Sequence, residues 1–407
     1  MAVGTVPFPA MPAIDGIRLG TAMAGIKQAN RRDLVVVEIA PDASVAGTFT
    51  RNAFCAAPVH VAKDHMAICQ TRGTSPRYLL INTGNANAGT GIAGRRDAES
   101  CCQELARLGE VDPAMVLPFS TGVIGEPLPM DRLLAALPEA VGALDDNGWQ
   151  QAADGILTTD TRPKGVTVSI EIDGQPVTLN GIAKGSGMIQ PDMATMLAFV
   201  TTDACIEQPR LSEWLGSGVQ RSFNSITVDS DTSTNDACLL VATGRGARID
   251  GDAAIQRFRN ALDEVLISLA QQIIRDAEGA TKFVTLDVSE ARTEQEARDV
   301  AFTVAHSPLV KTALYACDAN WGRILAAVGR APVEAFDVDL VRIDLGDVRL
   351  VEKGGRAPGY TEEAGSAVMA EEEITIRIRL GRGDAGTTVW TSDLSHEYVS
   401  INADYRS

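Results

Sequence analysis

The sequence has few of the residues that most often reveal a metal site or a secreted protein. Only four histidines occur among 407 residues, without metal-ligand spacing, and the seven cysteines form no Cys-x-x-Cys pair. These absences argue against a zinc site and against a disulfide framework, and they favour a reducing compartment. We therefore expect no structural or catalytic metal.

Long apolar runs and an excess of basic residues are also missing. No apolar run approaches the roughly 20 residues that cross a bilayer, and residues 1–20 show neither a signal peptide nor an Arg-rich transit peptide. With 36 Lys and Arg against 53 Asp and Glu, the net charge is −17, which repels phosphate backbones. We expect a cytoplasmic protein that binds neither nucleic acid nor a membrane.

The chain does contain short apolar runs that alternate with amphipathic segments. Residues 34–40 and 78–82 predict buried strands, and residues 97–108 predict a helix. Its length exceeds one ordinary core, so two or three domains of α/β to α+β class are expected. The same patterns predict helices at 131–143, 149–157, 209–221, 252–277, 294–305 and 309–315, the last continued after a break at 316–325, and strands at 166–172, 177–183, 237–243, 283–288, 337–345, 348–352 and 374–380.

The central stretch, residues 184–203, joins a glycine-rich loop to an apolar strand. Gly185, Gly187 and Pro191 disfavour a helix and allow unusual backbone angles. Residues 195–201 then form a short apolar, β-rich run. Thr195 is therefore expected to be the first residue of a core strand, directly after a glycine-rich loop with unusual backbone angles.

This arrangement suits a self-cleaving N-terminal nucleophile. The Thr195 hydroxyl would attack the carbonyl of Ala194, and hydrolysis of the resulting ester would release a new amino terminus. The freed α-amine, with a reference pKa of about 7.7 to 8.0, would act as general base for its own hydroxyl. From the residues alone, an ordinary turn is the more frequent explanation of such a loop.

The order of residues in this segment indicates a specific protein family. Lys184-Gly-Ser-Gly-Met-Ile-Gln-Pro-Asp-Met-Ala-Thr-Met-Leu197 closely resembles the processing site of the ornithine acetyltransferase family. The resemblance implies cleavage between Ala194 and Thr195, and an N-terminal-nucleophile-like α/β/β/α layered core with a smaller C-terminal α+β domain. Other segments match family signatures in the same order, at residues 82–91, 115–127, 225–236, 278–282, 316–325 and 391–407.

The resemblance also implies an activity. The chain would be a glutamate N-acetyltransferase of the cyclic arginine pathway, moving acetyl from N-acetylornithine to glutamate by ping-pong transfer through an ester of Thr195. Two alternatives stand beside it. One is a self-cleaving aminopeptidase or amidase, in which water replaces glutamate, and the other is an uncut, non-catalytic relative.

Several residues receive roles from the resemblance. Thr121 and Gly122 match the oxyanion hole, although Ser-Thr-Gly is in general a common turn. A threonine hydroxyl and a glycine N–H can together supply two donors to an oxyanion. Glu278 closes a helix whose dipole disfavours a carboxylate there, which hints at a role other than stability. The residues that the family uses to bind substrate correspond to Thr158, Lys184, Thr195, Glu278, Asn402 and Ser407.

The resemblance finally suggests how the chain is divided and assembled. Residues 1–194 would form an α chain, residues 195–282 the first part of the β chain with the nucleophile, and residues 283–407 a C-terminal α+β domain whose tail returns to the active site. The family implies an α2β2 assembly. No cofactor is expected. Whether acetyl-CoA serves as a second acetyl donor stays open. No coenzyme A motif is recognisable, and the family contains both monofunctional and bifunctional members.

Overall fold

The computed structural model describes residues 2–4, 6–190 and 196–404. The strands are β1 (Ile17–Ala22), β2 (Leu34–Ile39), β3 (Ser44–Phe49), β4 (Tyr78–Asn85), β5 (Val116–Val123), β6 (Lys164–Ile172), β7 (Gln175–Lys184), β8 (Leu197–Thr202), β9 (Ile226–Thr227), β10 (Ala237–Ala242), β11 (Phe283–Ala291), β12 (Arg342–Leu345), β13 (Val348–Glu352), β14 (Gly355–Arg356), β15 (Glu373–Arg379) and β16 (Ala385–Ser392). The helices are α1 (Ala57–Arg72), α2 (Gly91–Gly109), α3 (Met130–Gly142), α4 (Trp149–Gly155), α5 (Gln208–Arg221), α6 (Asp252–Arg275), α7 (Glu294–Ala305), α8 (Pro308–Tyr315), α9 (Trp321–Gly329), α10 (Glu362–Met369) and α11 (His396–Ala403).

Within these ranges the strands form three sheets. A four-stranded sheet has the order β1-β2-β4-β5, a five-stranded sheet β3-β10-β8-β7-β6, and a seven-stranded sheet β14-β13-β12-β15-β11-β16-β9. Leu197, which opens β8, pairs with Lys184 of antiparallel β7 on one side and with Ala237 of parallel β10 on the other. The strand that follows the glycine loop therefore lies in the middle of the five-stranded sheet.

The four-stranded and five-stranded sheets pack face to face between two layers of helices. Val35 and Val37 of β2 meet Leu239 of β10 in the core between the sheets. The other face of β2, with Leu34, packs on α2 and α3. The other face of β10, with Leu240, packs on α5 and α6. The layers therefore follow the order α/β/β/α, as predicted, and burial on both faces explains why these strands are continuously apolar.

The seven-stranded sheet has a hydrophobic core of its own. β11 pairs with parallel β15 on one side and antiparallel β16 on the other. Val284 and Ile376 of this sheet pack with Val300 of α7 and Ile324 of α9. This unit matches the predicted C-terminal α+β architecture, whereas the domain boundaries themselves stay predictions.

One predicted strand is shorter than the sequence suggested. Residues 337–345 were expected to form a single strand, but only Arg342–Leu345 does so. Val338–Leu340 forms a 3₁₀ turn, because the Asp337 side chain accepts a hydrogen bond from the amide of Asp339. Local side-chain bonding of this kind competes with strand pairing.

Helix ends also differ from the predictions. The helix expected at 97–108 begins earlier, at Gly91. This start was not predicted, because the sequence around Gly91 and Gly94 shows no change from polar to apolar residues that would mark the beginning of a helix. The segment 316–325 becomes helical only at Trp321, where the Asn320 side chain accepts from the Arg323 amide as an N-cap.

Candidate active site

Residues from distant parts of the chain meet at one cavity of about 220 Å³. The described residues among the predicted site line it together: Thr121, Gly122, Thr158, Lys184, Glu278 and Asn402. Ala194, Thr195 and Ser407, predicted as the cleavage pair and a substrate-binding residue, lie outside the described residues.

One wall of the cavity is the end of β5, held tightly against parallel β4. In the register Thr83 lies opposite Thr121 and Gly84 opposite Gly122. Gly122 has a φ of +136°, and a Cβ at this position would lie 2.3 Å from the carbonyl carbon of Gly84. Only glycine fits so close a backbone approach, and the main chain borders the cavity here without a side chain.

A polar network fixes the backbone next to Thr121. The Ser120 hydroxyl donates to Asn82 Oδ1 over 2.5 Å. Asn235 Nδ2 donates to the carbonyl oxygens of Ser120 at 2.9 Å and Ala86 at 2.7 Å. The loop before β10 therefore holds the strand that carries Thr121.

The same loop lines the cavity with polar side chains that the sequence did not single out. The stretch 225–236 matches a family signature, but the resemblance gave none of its residues a role in the site. One feature of the sequence could have indicated that this loop lines the cavity, namely its many short polar residues between apolar elements. The lining residues from this loop are Ser233, Thr234 and Asn235.

Lys184 brings a buried ammonium group to the cavity. Its side chain is 3% exposed, and Nζ donates to Thr121 Oγ1 over 3.3 Å. Burial lowers the pKa of Lys184, and the nearby carboxylate of Asp160 opposes that shift. Lys184 therefore lies in the interior beside Thr121 and not on the protein surface.

Beneath Lys184 lies a buried ion cluster that the sequence analysis missed. Lys164 Nζ is 2.6 Å from Asp160 Oδ1 and 2.7 Å from Asp276 Oδ2. Burial alone would raise the pKa of Asp160, but the ammonium groups of Lys164 and Lys184 bring it below its usual value. The carboxylate also accepts from the amides of Thr158, at 3.0 Å, and Gly185, at 2.7 Å. Asp160 therefore positions two backbone segments that border the cavity.

Glu278 and Asn402 form the opposite wall. Asn402 Nδ2 donates to Glu278 Oε2 over 2.8 Å, and the Glu278 amide donates to the Ser186 carbonyl over 2.9 Å. A Cβ on Gly187 would lie 2.4 Å from Glu278 Oε2. The glycine loop therefore runs directly against the carboxylate, and α11 holds the carboxylate from the other side.

The C-terminal segment docks as a helix, α11. The Ser395 hydroxyl donates to the Gly279 carbonyl over 2.7 Å, and Tyr398 OH donates to Asp229 Oδ2 over 3.2 Å. Asp229 also accepts from the Met188 amide at 2.6 Å, and burial raises its pKa. Tyr398 and Ile401 of this helix are both half-buried, so the segment is held against the rest of the protein.

Two classes of feature are not found in the described ranges. No group of three or more His, Cys, Asp or Glu side chains is arranged there to hold a metal ion. Among the helices described, none is long and apolar enough to cross a membrane.

Comparison with known proteins gives full-length matches. The family model described as the ArgJ family matches residues 18–407. The arginine biosynthesis bifunctional protein ArgJ of Pseudomonas fluorescens (strain Pf0-1) is 52% identical, with 100% of both chains covered. The protein of the same name from Methylococcus capsulatus is 54% identical over 97% of this chain and 96% of that one. A crystal structure of ArgJ from Bacillus halodurans is 38% identical and covers 50% of this chain and 97% of that chain, with a TM-score of 0.48.

Proposed function

Because the chain belongs to the ArgJ family, the ornithine acetyltransferases of arginine biosynthesis, we propose that it transfers acetyl from N-acetylornithine to glutamate. The observation that carries this proposal is the cavity in which Thr121, Gly122, Lys184, Glu278 and Asn402 converge. Identity over the whole length to relatives named for arginine biosynthesis favours this reaction over the amidase and the non-catalytic alternatives.

The nucleophile we propose is Thr195, exposed by cleavage of the bond to Ala194. Its hydroxyl attacks the acetyl carbonyl of N-acetylornithine while its α-amine takes the hydroxyl proton. Ornithine leaves with that proton, and an acetyl ester stays on the threonine. Glutamate then attacks the ester with its own amine and leaves as N-acetylglutamate, which restores the free hydroxyl.

Thr121 and Gly122 stabilise the oxyanion in this scheme. Because Lys184 Nζ donates to Thr121 Oγ1, the hydroxyl hydrogen of Thr121 is free to point at another acceptor. That hydrogen and the Gly122 N–H provide two donors that need no rearrangement during the reaction. The ammonium of Lys184 adds a positive charge beside them.

Charge also explains how an amino-acid substrate would be held. The Glu278 carboxylate is 8% exposed and keeps an oxygen for a substrate ammonium group beside its bond to Asn402. Lys184, on the other wall, suits a substrate carboxylate. Thr158 borders the space between them, and Ser407 stays a predicted further contact.

The deciding experiment is Thr195→Ala. Wild-type protein should give two chains on a denaturing gel, with Thr195 at a new amino terminus and no protease added. The variant should stay one chain and transfer no acetyl group. Thr195→Ser, which keeps a hydroxyl, should still be cut, and cleavage at the same bond in Thr195→Ala would contradict the assignment.

Kinetics test the ester intermediate separately. Initial-rate plots with N-acetylornithine and glutamate should be parallel, and mass spectrometry should find acetyl on Thr195 when glutamate is omitted. Intersecting lines with an unlabelled threonine would indicate direct transfer instead.

We infer that acetyl-CoA is a second acetyl donor, because the full-length relatives carry the name bifunctional. A panel of donors on purified protein tests this, since a bifunctional enzyme makes N-acetylglutamate from acetyl-CoA without any N-acetylornithine. We also propose a cytoplasmic α2β2 assembly of the two cleavage products, which light scattering checks as twice the mass of one full chain.

A further inference from the structure

Asp160 is a buried, charged residue to which the mechanism above gives no part. Its side chain is fully buried. Burial alone would raise the pKa of Asp160, but the ammonium groups of Lys164 and Lys184 hold that pKa well below its usual range. The carboxyl group is therefore negatively charged across the pH range in which the enzyme would work. A charge in the interior calls for an explanation, because burying it is unfavourable unless partners offset the loss of water.

The carboxylate of Asp160 joins two loops that border the active-site cavity. Oδ1 accepts from the Gly185 amide over 2.7 Å, and Oδ2 accepts from the Thr158 amide over 3.0 Å. The preceding residue, Thr159, shares a hydrogen bond of 2.6 Å between its hydroxyl and that of Ser186. The two loops are therefore tied together at two points, directly beyond the lysine of the site.

Three carboxyl groups and one ammonium group act on the charge of Lys184 from different elements. Burial lowers the pKa of Lys184, and the charge of Asp160 is the strongest of the effects that oppose this shift. Glu278 opposes it next, but the proposed function assigns that charge to the substrate ammonium group. Asp236 comes last in this order, and burial raises its own pKa well above the usual value, which favours its neutral form. The ammonium of Lys164 acts in the opposite sense.

We propose that Asp160 is a positioning residue that keeps Lys184 protonated and holds its ammonium group beside Thr121, ready for a substrate carboxylate. The inference rests on the proposed function for its last part, the contact with substrate. Asp160 gains and loses no proton in this role and needs no contact with the substrate. Without its charge, the buried amine would lose its proton at a lower pH. A neutral amine attracts a carboxylate far less than an ammonium group does.

A purely structural role for Asp160 makes a different prediction, and Asp276 supplies the matched control. Both carboxylates pair with Lys164, Asp160 over 2.6 Å and Asp276 over 2.7 Å. The side-chain hydrogen bonds described for Asp276 go to Thr161 and Lys164, whereas Asp160 also reaches the glycine-rich loop. If the cluster only stabilises the fold, D160N and D276N should act alike on Lys184.

Chemical labelling measures the charge of Lys184, because only a neutral amine reacts with acetic anhydride. Short pulses across a pH series, followed by mass spectrometry of the peptide that contains Lys184, give a titration midpoint. Thr195→Ala is the parent protein, so the proposed nucleophile carries no acetyl group. D160N should lower the midpoint by about one to three units, as for loss of a neighbouring opposite charge, and D276N should lower it much less. An equal midpoint in D160N and its parent overturns the inference, and so does an equal shift in D276N.

The parent protein provides a second measurement that does not depend on the folding of D160N. The proposal requires an ammonium group on Lys184 at neutral pH. A labelling midpoint above neutral pH in the parent supports this requirement, and a midpoint below neutral pH overturns the inference. Circular dichroism of each variant shows whether its midpoint refers to folded protein.

Kinetics keep this inference apart from the proposed function. In cut, active enzyme the alkaline limb of kcat/KM, which reports ionisable groups of the free enzyme, should move to lower pH in D160N and stay in place in D276N. If the wild type transfers no acetyl group, the proposed function fails, while the labelling midpoints still test the charge of Lys184. If transfer occurs and the alkaline limb of D160N is that of the wild type, only the present inference fails.

Discussion

Two lysines at the same end of the β6–β7 hairpin are buried in different ways. Lys164 is fully buried with two carboxylates, Asp160 and Asp276, within 2.7 Å of Nζ. Lys184 is buried equally deeply, but the hydrogen bond described for its Nζ goes to the hydroxyl of Thr121. A charge held directly by two carboxylates stabilises the fold, whereas an ammonium group bonded to a hydroxyl fits the proposed contact with an anionic substrate. The two lysines therefore have different expected roles within one sheet.

The largest effect should come from the structural member of the pair. Lys164→Met leaves two carboxylates buried without their shared cation, and loss of one partner of a buried pair costs about 3 to 5 kcal/mol in stability. Urea unfolding in the uncut Thr195→Ala background measures this. Arg107→Met, which breaks an exposed pair with Glu104, is the control and should change stability little. A Lys164→Met protein as stable as its parent would show that the cluster is not structural.

Lys184→Met should have the opposite pattern of effects, with activity lost and stability kept. We expect kcat/KM to fall on the order of 10²-fold, as for loss of a preorganised electrostatic group. Stability should be equal or higher, since burial lowers the pKa of Lys184 and so disfavours its charged form. Steady-state kinetics on protein of verified cleavage state and a thermal melt check the two halves. Full turnover in the variant would remove Lys184 from the site.

A smaller effect should follow when a second negative charge is placed beside Glu278. Asn402→Asp sets a second carboxylate where the amide nitrogen now donates over 2.8 Å. We expect KM for N-acetylornithine to rise on the order of 10-fold, or about 1.4 kcal/mol, with the fold intact. Ser400→Ala, on the exposed side of the same helix, serves as control. An unchanged KM would mean that Glu278 does not contact substrate.

A pH-dependent effect concerns a half-buried ionisable group that is kept neutral. Burial lowers the pKa of His306 to about 4, against about 6.5 in the unfolded chain. Between these values the unfolded chain binds more protons, so stability is complete above pH 6.5 and declines as the pH falls towards 4. His306→Asn lacks this contribution. The stability difference between wild type and variant should therefore shrink between pH 7 and pH 4.5 in parallel urea titrations, and a constant difference would contradict it.

Much of the fold could be predicted from the sequence, because burial on both faces leaves continuous apolar runs such as those of β2 and β10. Helix α1 escaped prediction since its buried residues Pro58, Val59, Val61 and Ala62 crowd its first turns instead of forming a stripe. Strand β3 is as long as β2, but its sequence, SVAGTF, lacks a continuous apolar run and most of its residues are half-buried.

The candidate site could likewise be predicted only in part. The family signatures identified Thr121, Lys184 and Glu278, and the structure brings these residues to one cavity. The depth of Lys184 and the cluster around Asp160 could not be predicted, because burial of a charge depends on partners from distant segments. Asp276, for example, follows α6 and reaches Lys164 only in the folded chain. Close approaches such as Gly122 to Gly84 are likewise a property of strand register.

The strand order of the five-stranded sheet has a consequence for how a cut protein comes apart. Its order, β3-β10-β8-β7-β6, places the two strands that follow the proposed cleavage point, β10 and β8, between strands that precede it, joined by the β3–β10 and β8–β7 ladders. Once the bond is broken, unfolding turns one particle into two, and reassembly becomes a bimolecular reaction. The melting temperature of the cut enzyme should then rise more steeply with protein concentration than that of the uncut variant, because its unfolding separates more chains.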